Sequence, residues 1–379
     1  MPFAPRPPQP SPVNAALVAA TAGADAAALQ ATITAASQAG GIDEQLLLAA
    51  VTRLSVLDAQ QQQQQQLTVS AGGGGGSSAA HLAAKAQNAM DRDGFALTPL
   101  LSSDMTSRRT LSNLAKLLET EYPDLLGKGK DVQKVYGPYD RLQLACAWKI
   151  DHPRNEAKYQ MGLTNVQKEM DLLEKKGKDV SAVPGLPTRT AQAGRGFALK
   201  QDANETILLH GTQPDRLLDL LSTGLNERFS GTNAGTAFGD GVYLAEDVGK
   251  TDQYVTADCA YDAGSELHQR LYGRTVRHPG DVFYLLVCRT ALGYPVRTQE
   301  SGKSSSAMDG GGPVFPVSFR ELAPVPSVQP PILHHSLIAE RGPAIARYRE
   351  FIVFHGDYVY PEFLIAYQRF NGDQRLRTR

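Results

Sequence analysis

Cysteine is scarce in this chain: Cys146, Cys259 and Cys288 are the only three in 379 residues, with no CxxC pair and no Cys/His group at zinc-ligand spacing. An odd, scattered set of thiols excludes a disulfide framework and points to a reduced, intracellular protein without a structural metal. An excess of one charge is also missing, since 38 basic residues face 39 acidic ones. No overall field gathers nucleic acid or an anionic membrane surface. No apolar run reaches the ~18–20 residues that a membrane-spanning helix needs, and the N-terminus lacks the basic-then-apolar order of a secretory signal. Arg6 is the only basic residue before Arg53, which argues against a transit peptide. No internal repeat of ~20–50 residues is visible.

What is present divides the chain. Residues 1–85 hold a proline-rich start, alanine-rich stretches, seven consecutive glutamines (Gln60 to Gln66) and five consecutive glycines (Gly72 to Gly76). With few aromatics and little large apolar surface, most of this arm cannot offset the entropy of ordering and is expected to be largely disordered, ending in a linker. IDEQLLLAAVTRLSVLDA, residues 42–59, is the exception, with helical spacing and an acidic first turn.

From residue 86 the composition is globular. A helical lead-in, 86–137, carries the stripe Leu111, Leu114, Leu117 and Leu118, closed by Tyr122-Pro123. YDRLQLACAWKIDHP alternates Leu142, Leu144, Cys146 and Trp148 as a half-buried strand does, and Pro153 then opens a helix carrying Tyr159, Leu163, Val166, Met170 and Leu173. ETILLHG, GVYLAED, DVFYLLVCRTAL and EFIVFHGDYVYPEFLIAYQRF are β-type. Many strands with few helices between them predict an α+β fold rather than a doubly wound parallel sheet.

Two glycine motifs fail as phosphate loops. GTAFGDG, residues 235–241, precedes a strand where a dinucleotide fingerprint must follow one. SGKSSS, residues 301–306, has arginine at position 297 where a P-loop needs glycine. The neighbours His334 and His335 lack a carboxylate cluster in sequence, so no metal is expected.

The stretch TILLHGTQPDRLLDLLSTGL, residues 206–225, puts His210 and Gly211 where a buried strand stops and a helix starts. Thr212 and Asp215 form a capping-box-like start to that helix, and Gly224 suits its end. Backbone groups at Gly211 are then free to hold a planar amide. FGDGVYLAEDVGKTDQYV, residues 238–255, adds a strand with Tyr243 and a polar helix start presenting Lys250, Thr251 and Tyr254. Two aromatic faces and a hydroxyl are the parts needed to hold a flat, cationic aromatic amide.

The order LLHGT, GDGVYLAEDVGKTDQY, YREFIVFHGDYVYPEFLIAYQR resembles the catalytic domain of the poly(ADP-ribose) polymerase family, the ADP-ribosyltransferases with a His-Tyr-Glu signature. The resemblance is strong over residues 200–372 and looser over ACAWKIDHP and its helix; residues 1–85 have no part in it. It implies an ADP-ribosyltransferase-like fold, with two packed antiparallel-rich sheets and flanking helices, as a catalytic domain over 138–372.

It implies NAD as co-substrate. His210 takes the place of the signature histidine that bonds the adenosine ribose, and Gly211 that of the glycine whose backbone grips the nicotinamide carboxamide. Thr212 stands where serine or threonine is usual. Tyr243 and Tyr254 match the tyrosines on either side of nicotinamide, Thr251 the hydroxyl residue that bonds the carboxamide oxygen, and Glu350 the signature glutamate.

Residues 226–241 correspond to the loop over the donor site, with Arg228 within reach of the pyrophosphate, and 299–345 to a long, flexible acceptor-side loop. The expected activity is NAD-dependent transfer of ADP-ribose to protein acceptors, the chain itself included, with release of nicotinamide; extension into chains is allowed by Glu350. The alternatives are an inactive NAD or ADP-ribose sensor, and a transferase acting on nucleic acid ends. Balanced charge and the lack of a DNA-binding module disfavour the last. Without zinc fingers or a full regulatory helical domain, activation by DNA breaks is not implied. A cytoplasmic or nuclear location is expected.

Overall fold

Alanine and leucine at helical spacing form two helices in the N-terminal arm, α1 (Pro12–Thr21) and α2 (Ala26–Ala39), which the composition argument did not place. The computed structural model describes residues 12–21, 25–39, 46, 47, 49–51, 53, 54, 87, 90, 92–128, 138–229 and 236–377. Positions 46, 47, 49–51, 53 and 54, inside the stretch expected to be helical, are helical. Leu17, Leu29, Ile33, Ala36 and Ala50 form a small apolar cluster. The glutamine and glycine runs lie outside the described residues. Met1–Lys85 and Ala86–Arg379 are two compact units.

The second unit begins with β1 (Ala96–Pro99), α3 (Met105–Lys116), β2 (Arg141–Asp151), α4 (Pro153–Lys175), β3 (Glu205–Thr212) and α5 (Pro214–Thr223). It continues through β4 (Val242–Leu244), α6 (Val248–Thr251), α7 (Glu266–Leu271), β5 (Phe283–Ala291), β6 (Pro295–Thr298), β7 (Ser336–Ala339), β8 (Glu350–Val353), β9 (Val359–Asn371) and β10 (Gln374–Arg375). The larger sheet runs β1-β2-β9-β5-β3, with β10 on β9, and is antiparallel throughout. The smaller runs β4-β8-β7-β6, and its one parallel pair is β6 with β7.

Period-two alternation explains how the layers stack. On β5, Tyr284, Leu286 and Cys288 join Val242, Leu244, Ile338, Phe351 and Val353 of the smaller sheet in one core. Phe283, Leu285 and Val287 face the other way and join Leu114, Leu117 and Leu118 from α3 and the turn after it. Both faces of the larger sheet are therefore covered, so its central strands are continuous apolar runs. The fold is α+β with two packed sheets.

Two local expectations change. Leu142, Leu144, Cys146 and Trp148 do not share a face, because the β2–β9 register shifts between Leu144 and Cys146. Leu142 belongs to the core under α3 and Trp148 to the core between the sheets, as a β-bulge requires. Thr212 does not cap α5: it remains in β3, Gln213 is the N-cap without a side-chain bond, and Pro214 supplies the first turn. Gly224, at φ +78°, ends that helix as expected.

The segment after β6 is packed rather than loose. Parallel pairing of β6 with β7 demands a crossover connection, and residues between them bury Val314, Phe315, Leu322, Val325 and Val328. His334 and His335 are held there, His335 Nε2 at 2.9 Å from Glu169 and His334 Nδ1 at 3.3 Å from the Tyr294 carbonyl oxygen. Among the described residues no helix is long and apolar enough to cross a membrane.

Candidate active site

β3 is the edge strand of the larger sheet, and its outer side meets the end of β4. Leu209 and Ala245 exchange both backbone hydrogen bonds, at 2.8 and 2.9 Å. Outward-facing backbone recurs every second residue in a strand, so Gly211 turns its N–H and C=O to that same side, beyond Ala245. A donor and an acceptor on one residue match the two ends of a carboxamide.

Gly211 is glycine for a steric reason. A Cβ there would lie 2.4 Å from the Thr251 carbonyl oxygen, a backbone atom. β3 and α6 approach too closely for any side chain, and this approach brings His210, Gly211 and Thr251 together. His210 Nδ1 lies 2.9 Å from the carbonyl oxygen of Tyr243. A carbonyl only accepts, so Nδ1 carries the hydrogen and Nε2 is left as an acceptor. Burial lowers the pKa of this ring, partly offset by the Tyr243 bond, and favours the neutral form.

Tyr243 stands on β4 between Val242 and Leu244, which point into the core. Its hydroxyl accepts from Phe238 N and donates to Gly239 O, both at 2.8 Å, tying down the turn that precedes β4. Burial raises its pKa, opposed by the Phe238 bond and reinforced by Glu350, Asp240 and Tyr254 nearby, so the phenol stays protonated. Glu350 opens β8 opposite Ala339 of β7, while Leu244 of β4 pairs with Phe351 one residue on. It is almost wholly buried, and Lys250 Nζ is 2.8 Å from its Oε1. Burial disfavours the Lys250 charge, yet the Glu350 carboxylate and Tyr254 hold its pKa above the ordinary lysine value. The same ammonium lies 5.3 Å from the centre of the Tyr254 ring. Tyr254 is 53 % exposed, so the ring remains accessible.

Thr251 and Thr212 are both buried. Thr251 Oγ1 donates to Val248 O at 3.0 Å, so its hydroxyl must rotate before it donates to a ligand. Thr212 Oγ1 makes one long contact, 3.5 Å, with Gln213 O. Arg228 is the middle residue of a short 3-10 turn, Glu227–Phe229, and residues 230–235 of the donor-side loop lie outside the described residues.

Three anchors that the sequence did not reveal hold α6 in place. Asp247 caps it, accepting from Gly249 N at 2.8 Å, and also accepts from Thr120 Oγ1 (2.8 Å) and Glu121 N (2.9 Å). Asp252, directly after Thr251, accepts from the hydroxyls of Tyr139 and Tyr367 and, at 3.0 Å each, from Nε and Nη2 of Arg369. The Arg369 guanidinium lies 3.8 Å from the Phe283 ring centre and 4.8 Å from that of Tyr139. Beyond Tyr254, Asp258 accepts from His268 Nε2 and the Tyr284 hydroxyl, both at 2.7 Å, and His278 Nε2 lies 3.2 Å away.

Asp258, His268 and His278 are close enough together to suggest a metal. Both rings, however, accept a backbone N–H at Nδ1, from Asp262 at 2.8 Å and Gly280 at 3.0 Å. Their hydrogens therefore sit on Nε2, the atoms that would have to ligate. The arrangement is a hydrogen-bonded clasp from the segment after Tyr254 to β5.

A family model, the poly(ADP-ribose) polymerase catalytic domain, matches residues 130–369. The chain belongs to that family. Its fold is the ADP-ribosyltransferase fold, and domains of this family use NAD as substrate. For a catalytic domain of this kind, the structure brings His210, Gly211, Tyr243, Lys250, Thr251, Tyr254 and Glu350 to one place across the two sheets. Lys250 as the partner of Glu350 was missed in sequence, because 100 residues separate them.

Proposed function

We propose that the protein is an active NAD-dependent ADP-ribosyltransferase that modifies protein acceptors, itself included. The observation that carries this reading is Glu350, a nearly buried carboxylate paired with Lys250 and set beside Tyr243 and Tyr254. Breaking the bond between ribose C1′ and the nicotinamide nitrogen leaves positive charge on the ribose, in an oxocarbenium-like transition state of the glycosyl-transfer type. Nicotinamide departs neutral with the bonding pair, and the acceptor attacks C1′ and loses a proton. Glu350 bonds a ribose hydroxyl, stabilises the developing charge and accepts the acceptor's proton.

The remaining residues orient the donor. Gly211 N–H and C=O clamp the carboxamide with Thr251 as third partner, and Tyr243 and Tyr254 flank the ring. His210 Nε2 accepts from a hydroxyl of the adenosine ribose. Thr212 supports the end of β3.

The test is incubation of the purified protein and of Glu350→Gln with labelled NAD, with products resolved by size. A ladder in the wild type alone supports polymer synthesis through Glu350, and a single sharp band supports transfer of single units. No label in either protein, with NAD still bound, rejects the enzyme and leaves an NAD sensor.

A further inference from the structure

A second pocket, of about 260 Å³, lies behind α6 and is walled by four arginines: Arg189, Arg341, Arg347 and Arg349. Two of them are neutralised. Arg349 holds Glu246 through Nε and Nη2, at 2.6 and 2.9 Å, and Arg189 is paired with Asp247. Both carboxylates have further donors, Glu246 from the backbone of Arg189 at 2.6 Å and Asp247 from the α6 cap. They have little acceptor capacity left for the other two arginines.

Arg341 and Arg347 have no carboxylate within ion-pair distance among the described residues. Arg341 lies over the Tyr122 ring, 4.8 Å from its centre, and donates to that hydroxyl at 2.6 Å. Arg347 donates Nη2 to Lys128 O at 3.2 Å, and its Nη1 is buried without an acceptor among the described residues. The remaining carboxylate in the wall, Glu121, is exposed. Nη1 is closed to solvent, so what the pocket offers an oxyanion is the uncompensated charge of the two guanidiniums in its wall.

We propose that this pocket binds a phosphate-bearing small molecule through Arg341 and Arg347, apart from the donor site. Guanidinium forks match phosphate oxygens in pairs, and the volume admits a pyrophosphate group or a nucleotide that carries one. In sequence, Arg347 and Arg349 lie just before Glu350, and Glu246 and Asp247 just before α6. The inference does not depend on transferase activity.

The test is calorimetric titration of the full chain with inorganic pyrophosphate and, separately, with adenosine diphosphate. The wild type should bind saturably, and Arg341→Gln and Arg347→Gln should each weaken binding about tenfold or more, as loss of a charge-assisted bond predicts. Glu121→Gln, at an exposed position with little bearing on folding, should tighten binding about threefold by removing a like charge. Pyrophosphate bound with the diphosphate excluded assigns the pocket to free polyphosphate; both bound assigns it to a nucleotide. No saturable binding of either ligand, or wild-type affinity in all three variants, overturns the proposal.

Discussion

Two ion pairs flank the same one-turn helix, α6, and they are built in opposite ways. Asp252 and Arg369 have side chains only 2 % and 1 % exposed, and the carboxylate is saturated by two tyrosine hydroxyls and two guanidinium nitrogens. Glu350 and Lys250 are 11 % and 17 % exposed, and Glu350 Oε2 has no partner among the described residues. The first pair has nothing left to offer a ligand and fixes the position of Thr251 and Tyr254. The second keeps an oxygen open at the surface of a cleft. A charged pair with full hydrogen bonding is architecture, whereas one with spare capacity is available for chemistry.

The contrast can be broken at either pair. Asp252→Ala leaves the Arg369 guanidinium buried without its partner and should cost about 3–5 kcal/mol in urea unfolding. A near-wild-type midpoint would show that the clamp is not what holds α6. Glu350→Gln should do the reverse, lowering ADP-ribose transfer roughly 10²–10³-fold while costing about 1–2 kcal/mol of stability, less than Asp252→Ala, because the amide keeps the shape and an acceptor for Lys250. Equal losses of stability in both variants would erase the distinction.

Mild acid should act through neither pair but through buried histidines. Burial first, then the neighbouring His335, holds the His334 pKa at about 4 against an ordinary 6.5. His152 and His210 are also lowered by burial. Between those pH values the unfolded chain takes up protons that the folded chain refuses. Stability is therefore full above pH 6.5 and falls as pH drops toward 4, on the order of 3 kcal/mol for His334. The urea midpoint should fall between pH 7 and pH 5 and fall less in His334→Gln. The smallest effect belongs to Gly211→Ala, where the methyl group forces β3 from the Thr251 carbonyl at about 1–3 kcal/mol. Affinity for a benzamide should drop with it, and unchanged affinity would argue against the backbone clamp.

Much of this was legible in sequence because it is local. Pro153 and its apolar stripe mark α4 and Gly224 marks the end of α5, while His210, Gly211, Tyr243, Thr251, Tyr254 and Glu350 stand out as a site through resemblance to the family's signature. What stayed hidden joins distant positions. Asp252 meets Arg369 across 117 residues, and an arginine in YQRF looks like a solvated strand residue until the partner is seen. The bulge in β2 was invisible because Leu142 to Trp148 keeps perfect alternation while the pairing does not. Thr212 followed by Asp215 satisfied a capping pattern, yet Pro214 sets the helix start one residue later than that pattern requires.

The Tyr243 hydroxyl has a consequence for how variants at this position are compared. It fastens Phe238 N and Gly239 O while the ring packs against the apolar cluster that includes Phe238, Phe315 and Ile352, so one side chain both extends that surface and holds the preceding turn. Tyr243→Phe removes the fastening and keeps the surface, whereas Tyr243→Ala removes both. The difference between the two variants, rather than either one alone, measures the ring's contribution to ligand affinity.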